Sequence, residues 1–171
     1  TTLSCTQSDD VVNVYSGRHY QTDERLFKEF TEETGIKVNL VKANSDQLIN
    51  RLEMEGKRSP ADMIIAADAG RLIKAEDKGL LQPIASEKAL RIVPRHLRDD
   101  ENQWLGFTKR ARVIIYPKER INRSELSTYE ALTDKKWQDR LLVRSSQNNY
   151  NQTLLASIIA AHGKEKATEW A

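Results

Sequence analysis

The chain has 171 residues, of which 39% are hydrophobic and 30% charged, and a net charge of +2. That length holds one full domain with a sizeable core, or one domain and part of a second. No apolar run nears the roughly 20 residues of a membrane helix. The charge is uneven: residues 91–144 carry 13 Lys/Arg against 8 Asp/Glu, and the remainder carries 14 against 17. This basic band has no interleaved aromatics and no nucleic-acid motif, so it reads as a solvated face with a few inward-pointing arginines, not a nucleic-acid interface.

Cys5 is the only cysteine, which excludes an internal disulfide and a Cys-based zinc cluster. Its setting, TTLSCTQSDD, is similar to the end of a bacterial lipoprotein signal, where the cysteine carries lipid. The alternative is a polar leader over residues 1–10 with an incidental thiol.

Val11–Tyr15 is short, β-branched and apolar, and reads as the first strand. Thr22 is the expected N-cap of a helix with Asp23 and Glu24 in its first turn. Leu26, Phe27, Phe30 and Thr34 follow at helical spacing, and Gly35 supplies the stop. Ile36–Val41 alternates as a second strand. Ser45 is the expected cap of a second helix carrying Leu48, Ile49, Leu52 and Met54 and ending at Gly56. Asp62–Ala67 reads as a third strand, followed by a helix from Ala69 to Lys78. Strands alternating with helices in this way predict crossovers onto a largely parallel sheet, and so an α/β fold.

Beyond Pro83 and Pro94 the run Trp104–Tyr116 reads as one long strand ended by Pro117, with Thr108, Arg110, Arg112, Ile114 and Tyr116 on one face. It is long enough to cross from one lobe into another. A short helix near Thr128–Leu132, a strand Arg140–Arg144, a polar loop through Tyr150 and an apolar helix Thr153–Ala161 complete the order. The last helix, from about Lys164, reaches Ala171 with no stop signal, so the protein is expected to continue beyond it.

Two stretches are polar where ligands gather. In open α/β sheets the binding crevice lies beyond the carboxyl ends of the strands. The first strand delivers Arg18, His19 and Tyr20 there, and Arg144–Tyr150 is a second such loop. On the residues alone, a tyrosine in either loop is usually a half-buried packing residue.

Four blocks carry a family resemblance: VVNVYSGRHYQTDERLFKEFTEETGIKVN, SPADMIIAADAGRL, LGFTKRARVIIYPKERI and TYEALTDKKW through LLVRSSQNNYNQTLLASIIAAHG. In order and from about residue 11 onward, they resemble the ferric-iron-binding proteins of bacterial ABC importers, the cyanobacterial members most of all. The resemblance implies a periplasmic, type II periplasmic-binding-protein-like fold of two lobes. Residues 11–107 would form the first lobe, and 108–171 the crossover strand and the start of the second. It places ligand tyrosines at Tyr20 and Tyr150, held to one ion across the closing gap, with Arg110 as the basic residue near the metal. His19 is a ligand in some members and only a neighbour in others. Two further ligand tyrosines of the family have no counterpart in these 171 residues. Arg18 reads as a surface or rim charge, and Tyr15, Tyr116 and Tyr129 as packing residues.

The chemistry points the same way. Fe(III) is a hard cation that prefers anionic oxygen, and ligand type is how proteins select metals. Ionising a phenol of pKa about 10 at pH 7 costs roughly 4 kcal/mol, which only a strong Lewis acid repays. A guanidinium such as that of Arg110 would offset the surplus negative charge. The resemblance implies ferric ion and a membrane permease as partners, with the protein a monomer and, through Cys5, open to membrane tethering. A second reading is a protein of the same fold for an organic cation, a small anion or a metal chelate. An enzyme is disfavoured: there is no Gly-rich phosphate loop, no HExxH, no G-x-S-x-G and no Cys–His arrangement.

Overall fold

A computed structural model describes residues 10–171, so Cys5 and the rest of the leader before Asp10 lie outside the described residues. The chain divides into two compact units, the first running through Lys109 and the second spanning Arg110–Ala171.

The first unit is organised by β1 (Val11–Ser16), the middle strand of a three-stranded parallel sheet with β2 (Lys37–Lys42) on one side and β3 (Met63–Ile65) on the other. A strand flanked on both sides and covered by helices reads as an apolar run, and Val14 and Tyr15 are accordingly buried. Crossover helices α1 (Gln21–Thr34) and α2 (Ser45–Glu55) link β1 to β2 and β2 to β3, and α3 (Ala69–Asp77) and α4 (Glu87–Ile92) follow. Leu48 and Leu52 of α2 close the core onto Tyr15, with Val41, Ala61, Ile64 and Leu80 packed around them. The buried Tyr15 hydroxyl donates to both carboxylate oxygens of Glu55, at 2.9 and 3.0 Å, while Arg51 and Ser59 donate to the same carboxylate. Burial foremost, then the bond to Glu55, raises the Tyr15 pKa, so this phenol stays neutral and structural.

The caps differ from those read in the sequence. Tyr20, not Thr22, is the N-cap of α1, and Asn44, not Ser45, caps α2. Asn44 accepts from the Asp46 amide at 2.9 Å while Gln47 reaches back to the Asn44 amide, a reciprocal pair that Ser45 lacks the neighbour to form. Gly35 ends α1 in the left-handed region, at φ 74°.

The second unit contains α5 (Asn149–His162) and α6 (Lys164–Trp170), preceded by 3-10 turns at 123–125, 130–133 and 135–137. Trp137 is buried, with Lys136 and Arg140 over its ring at 5.0 and 5.4 Å. The Trp170 indole N–H donates to the Tyr129 carbonyl at 2.9 Å, and His162 Nε2 lies 2.7 Å from Glu130 Oε1.

Two expected strands do not form. Within Trp104–Tyr116 the only ladder contact among the described residues is an isolated antiparallel bridge from Leu105 to Arg98, and Arg140–Arg144 is irregular. Alternating apolar residues make a strand only against a partner's N–H and C=O groups. Here Ile115, Leu142 and Val143 are 89%, 101% and 77% exposed.

Candidate functional site

In the first unit one candidate cluster is built on the turn that leaves β1. Gly17 donates its N–H to the Ile65 carbonyl at 2.8 Å, which ties the turn to the end of β3. The buried Ser16 hydroxyl accepts the Arg18 N–H at 3.2 Å. Arg18, read from the sequence as a surface or rim charge, forks its side chain onto one carboxylate. Nε donates to Asp23 Oδ2 at 2.8 Å and the second arm to Oδ1 at 3.1 Å, leaving the two side chains 20% and 19% exposed. Asp23 lies in the first turn of α1, where the helix dipole favours a negative charge.

The Arg18 guanidinium lies over the Tyr20 ring, 5.0 Å from its centroid, and the His19 ring is 6.1 Å from it. Tyr20 is 47% exposed. Its carbonyl accepts the Asp23 N–H at 3.1 Å, yet its side chain makes no capping bond, so the phenol is not used to hold the helix.

In the second unit another candidate cluster gathers at the start of α5. Tyr150 lies within the first turn of that helix, not at the end of a loop, because Asn148 caps α5 by accepting the Tyr150 N–H at 3.0 Å. Arg110 donates to the Tyr150 hydroxyl at 2.7 Å. Guanidinium groups of Arg110 and Arg144 both lie 5.2 Å from the Tyr150 ring centroid. Arg112 donates to the Tyr150 carbonyl and, at 2.8 Å, to the Thr153 hydroxyl, so it fixes the backbone beneath the ring. The sequence points to Arg110 as the basic partner and marks Arg144 only as the start of a polar loop. A contact from Arg144 to the Tyr150 ring across a loop and a helix start leaves no periodic signal, whereas the pairing of Arg18 with an acidic residue in the first helical turn was there to be read.

Tyr20 faces a guanidinium that is paired with Asp23, while two guanidiniums, those of Arg110 and Arg144, lie over the Tyr150 ring. Among the described residues no group of three or more His, Cys, Asp or Glu side chains could hold a metal ion.

Residues 15–164 match the family model described as "Bacterial extracellular solute-binding protein". The chain belongs to that family. A curated relative, iron uptake protein A1 of Synechocystis, is 48% identical over 98% of this chain and 50% of its own length. A Trichodesmium protein (IdiA, FutA), solved in complex with iron and citrate, is 49% identical with a TM-score of 0.87, over 94% of this chain and 51% of that one. The ferric binding protein of Campylobacter jejuni is 44% identical with a TM-score of 0.84, over 93% and 51%. This member of the family therefore spans about half the length of the relatives it matches, and over that half it has their type II periplasmic-binding-protein fold.

Proposed function

We propose that the protein captures ferric iron outside the cytoplasm, in the periplasm, and delivers it to the permease of an ABC importer, with the phenolates of Tyr20 and Tyr150 as ligands. The observation that carries this reading is the setting of Tyr150, whose hydroxyl accepts from Arg110 at 2.7 Å while Arg144 lies over its ring. The neutral Tyr15 also has a guanidinium over its ring, that of Arg51 at 4.8 Å, but its hydroxyl donates to a carboxylate whereas that of Tyr150 accepts from a cation. A phenolate bound to a trivalent ion alongside other anionic oxygens leaves surplus negative charge, and fixed guanidiniums beside it offset that charge. The similarity to iron uptake and ferric-binding proteins supports the same cargo.

In this function no substrate is chemically transformed: iron is bound, carried and released. Selectivity comes from the cost of ionising phenols, which a weakly polarising divalent ion does not repay. Because the phenols must lose protons to bind, affinity falls as the pH falls. Reduction to Fe(II) weakens the gain from the phenolates and so favours release. His19 stands beside Tyr20 as a further donor or as its neighbour.

The test is ferric citrate titration of the intact protein, followed through the visible phenolate-to-iron charge-transfer band. Tyr20→Phe and Tyr150→Phe are each expected to dim the band and to weaken binding by at least about tenfold, the lower end for changes at metal sites. Wild-type colour and affinity in both variants would refute the assignment.

A further inference from the structure

We infer that Arg18, anchored by Asp23, is the positioning residue for Tyr20: it sets the orientation of the phenol ring by lying over its face, without supplying net charge to the site. The inference rests on Tyr20 being a ligand. A ring that is 47% exposed and makes no capping bond is free to turn unless something holds its face. The Arg18 guanidinium does so from 5.0 Å, and its own position is fixed at both ends. The Ser16 hydroxyl accepts its backbone N–H at 3.2 Å, and Asp23 takes its fork at 2.8 and 3.1 Å. A bidentate arginine–carboxylate pair is planar and directional, so the plane offered to Tyr20 is defined before any ion arrives. Ligand groups held in place beforehand bind more tightly because less freedom is lost on binding.

The neutral Arg18–Asp23 pair separates positioning from charge compensation. If charge were the contribution, lysine at this position would serve as well. A lysine offers neither the flat face nor the fork, so a positioning role predicts that it does not.

The experiment is ferric citrate titration of the intact protein carrying Arg18→Met, Arg18→Lys, Tyr20→Phe, and R18M combined with Y20F, with the visible band and thermal unfolding recorded for each. R18M and R18K are both expected to weaken ferric binding about 3- to 30-fold, the range of a partly shielded cation–π contact. The phenolate band should persist in each, since Tyr20 still ligates. The double variant should bind no more weakly than Y20F alone, because Arg18 acts only by placing the Tyr20 hydroxyl, which Y20F has already removed. Additive losses in the double variant, full rescue by R18K, or wild-type affinity in R18M would each overturn the inference while leaving the Tyr20 assignment standing. Wild-type affinity in Y20F would instead overturn that assignment and the inference with it.

Discussion

Gly17→Ala puts a side chain where there is no room for one. A Cβ at this position would stand 1.9 Å from the Ser45 hydroxyl oxygen, 2.9 Å from its Cβ and 3.1 Å from its Cα. Rotating the hydroxyl relieves only the first of these contacts, and Ser45 is itself 4% exposed at the start of α2, so the serine cannot swing into solvent. The helix or the turn must move. Forcing a methyl into a packed site costs about 1–3 kcal/mol, which for a urea slope of about 1–3 kcal/mol/M is a drop of about 1 M in the unfolding midpoint. Urea titration of the intact protein by circular dichroism reads this directly. Combining the change with Ser45→Ala should recover part of the loss and no more, because the contacts with Cβ and Cα remain. The turn that would shift also carries Arg18, His19 and Tyr20, so ferric affinity should fall with stability. A G17A variant within about 0.3 kcal/mol of wild type, the usual limit of additivity error, would refute the reasoning. So would a double variant no better than G17A.

Two further expectations concern the second unit. Arg110→Met removes the donor to the Tyr150 hydroxyl while keeping much of the side-chain stem; ferric affinity should drop about 10- to 100-fold, as for other partners of metal ligands, and an unchanged titration would count against the charge-offset argument. Glu130 is held at a pKa of about 2, against 4.5 ordinarily, first by the Thr128 hydroxyl and then by its own backbone N–H and by His162. A carboxylate with a lowered folded-state pKa stabilises above its unfolded value and loses that contribution as the pH falls. The thermal midpoint of wild type should therefore decline between about pH 4.5 and 2 more steeply than that of Glu130→Gln, and parallel curves would show that this carboxylate carries no such linkage.

The first unit was largely legible because its signals are local. The apolar Val11–Tyr15, the helical spacing of α1 and α2 and the glycine stops each act within a few residues, and β1 does pair in parallel with both β2 and β3. Even the misplaced caps were off by one or two positions, the difference being which side chain reaches an amide. The second unit was read less well for the opposite reason. A strand over Arg140–Arg144 is a statement about a neighbour, and Leu142 has none among the described residues. Tyr150 was drawn into a loop because SSQNN looks like one, although Asn148 is also a strong helix opener. Arg144 is marked in the sequence only as the start of a polar loop, since its place over the Tyr150 ring is a matter of three-dimensional arrangement.

Tyr20 opens α1 without capping it, at a position where serine, threonine, asparagine or aspartate would each hold an orphan amide and add about 0.5–2 kcal/mol. Directed evolution for heat resistance alone would therefore favour replacing this tyrosine. A library screened on melting temperature should lose the phenol early, whereas one screened on growth in iron-poor medium should keep it. Comparing the two libraries would show how much robustness the chain gives up to keep an aromatic hydroxyl at that corner.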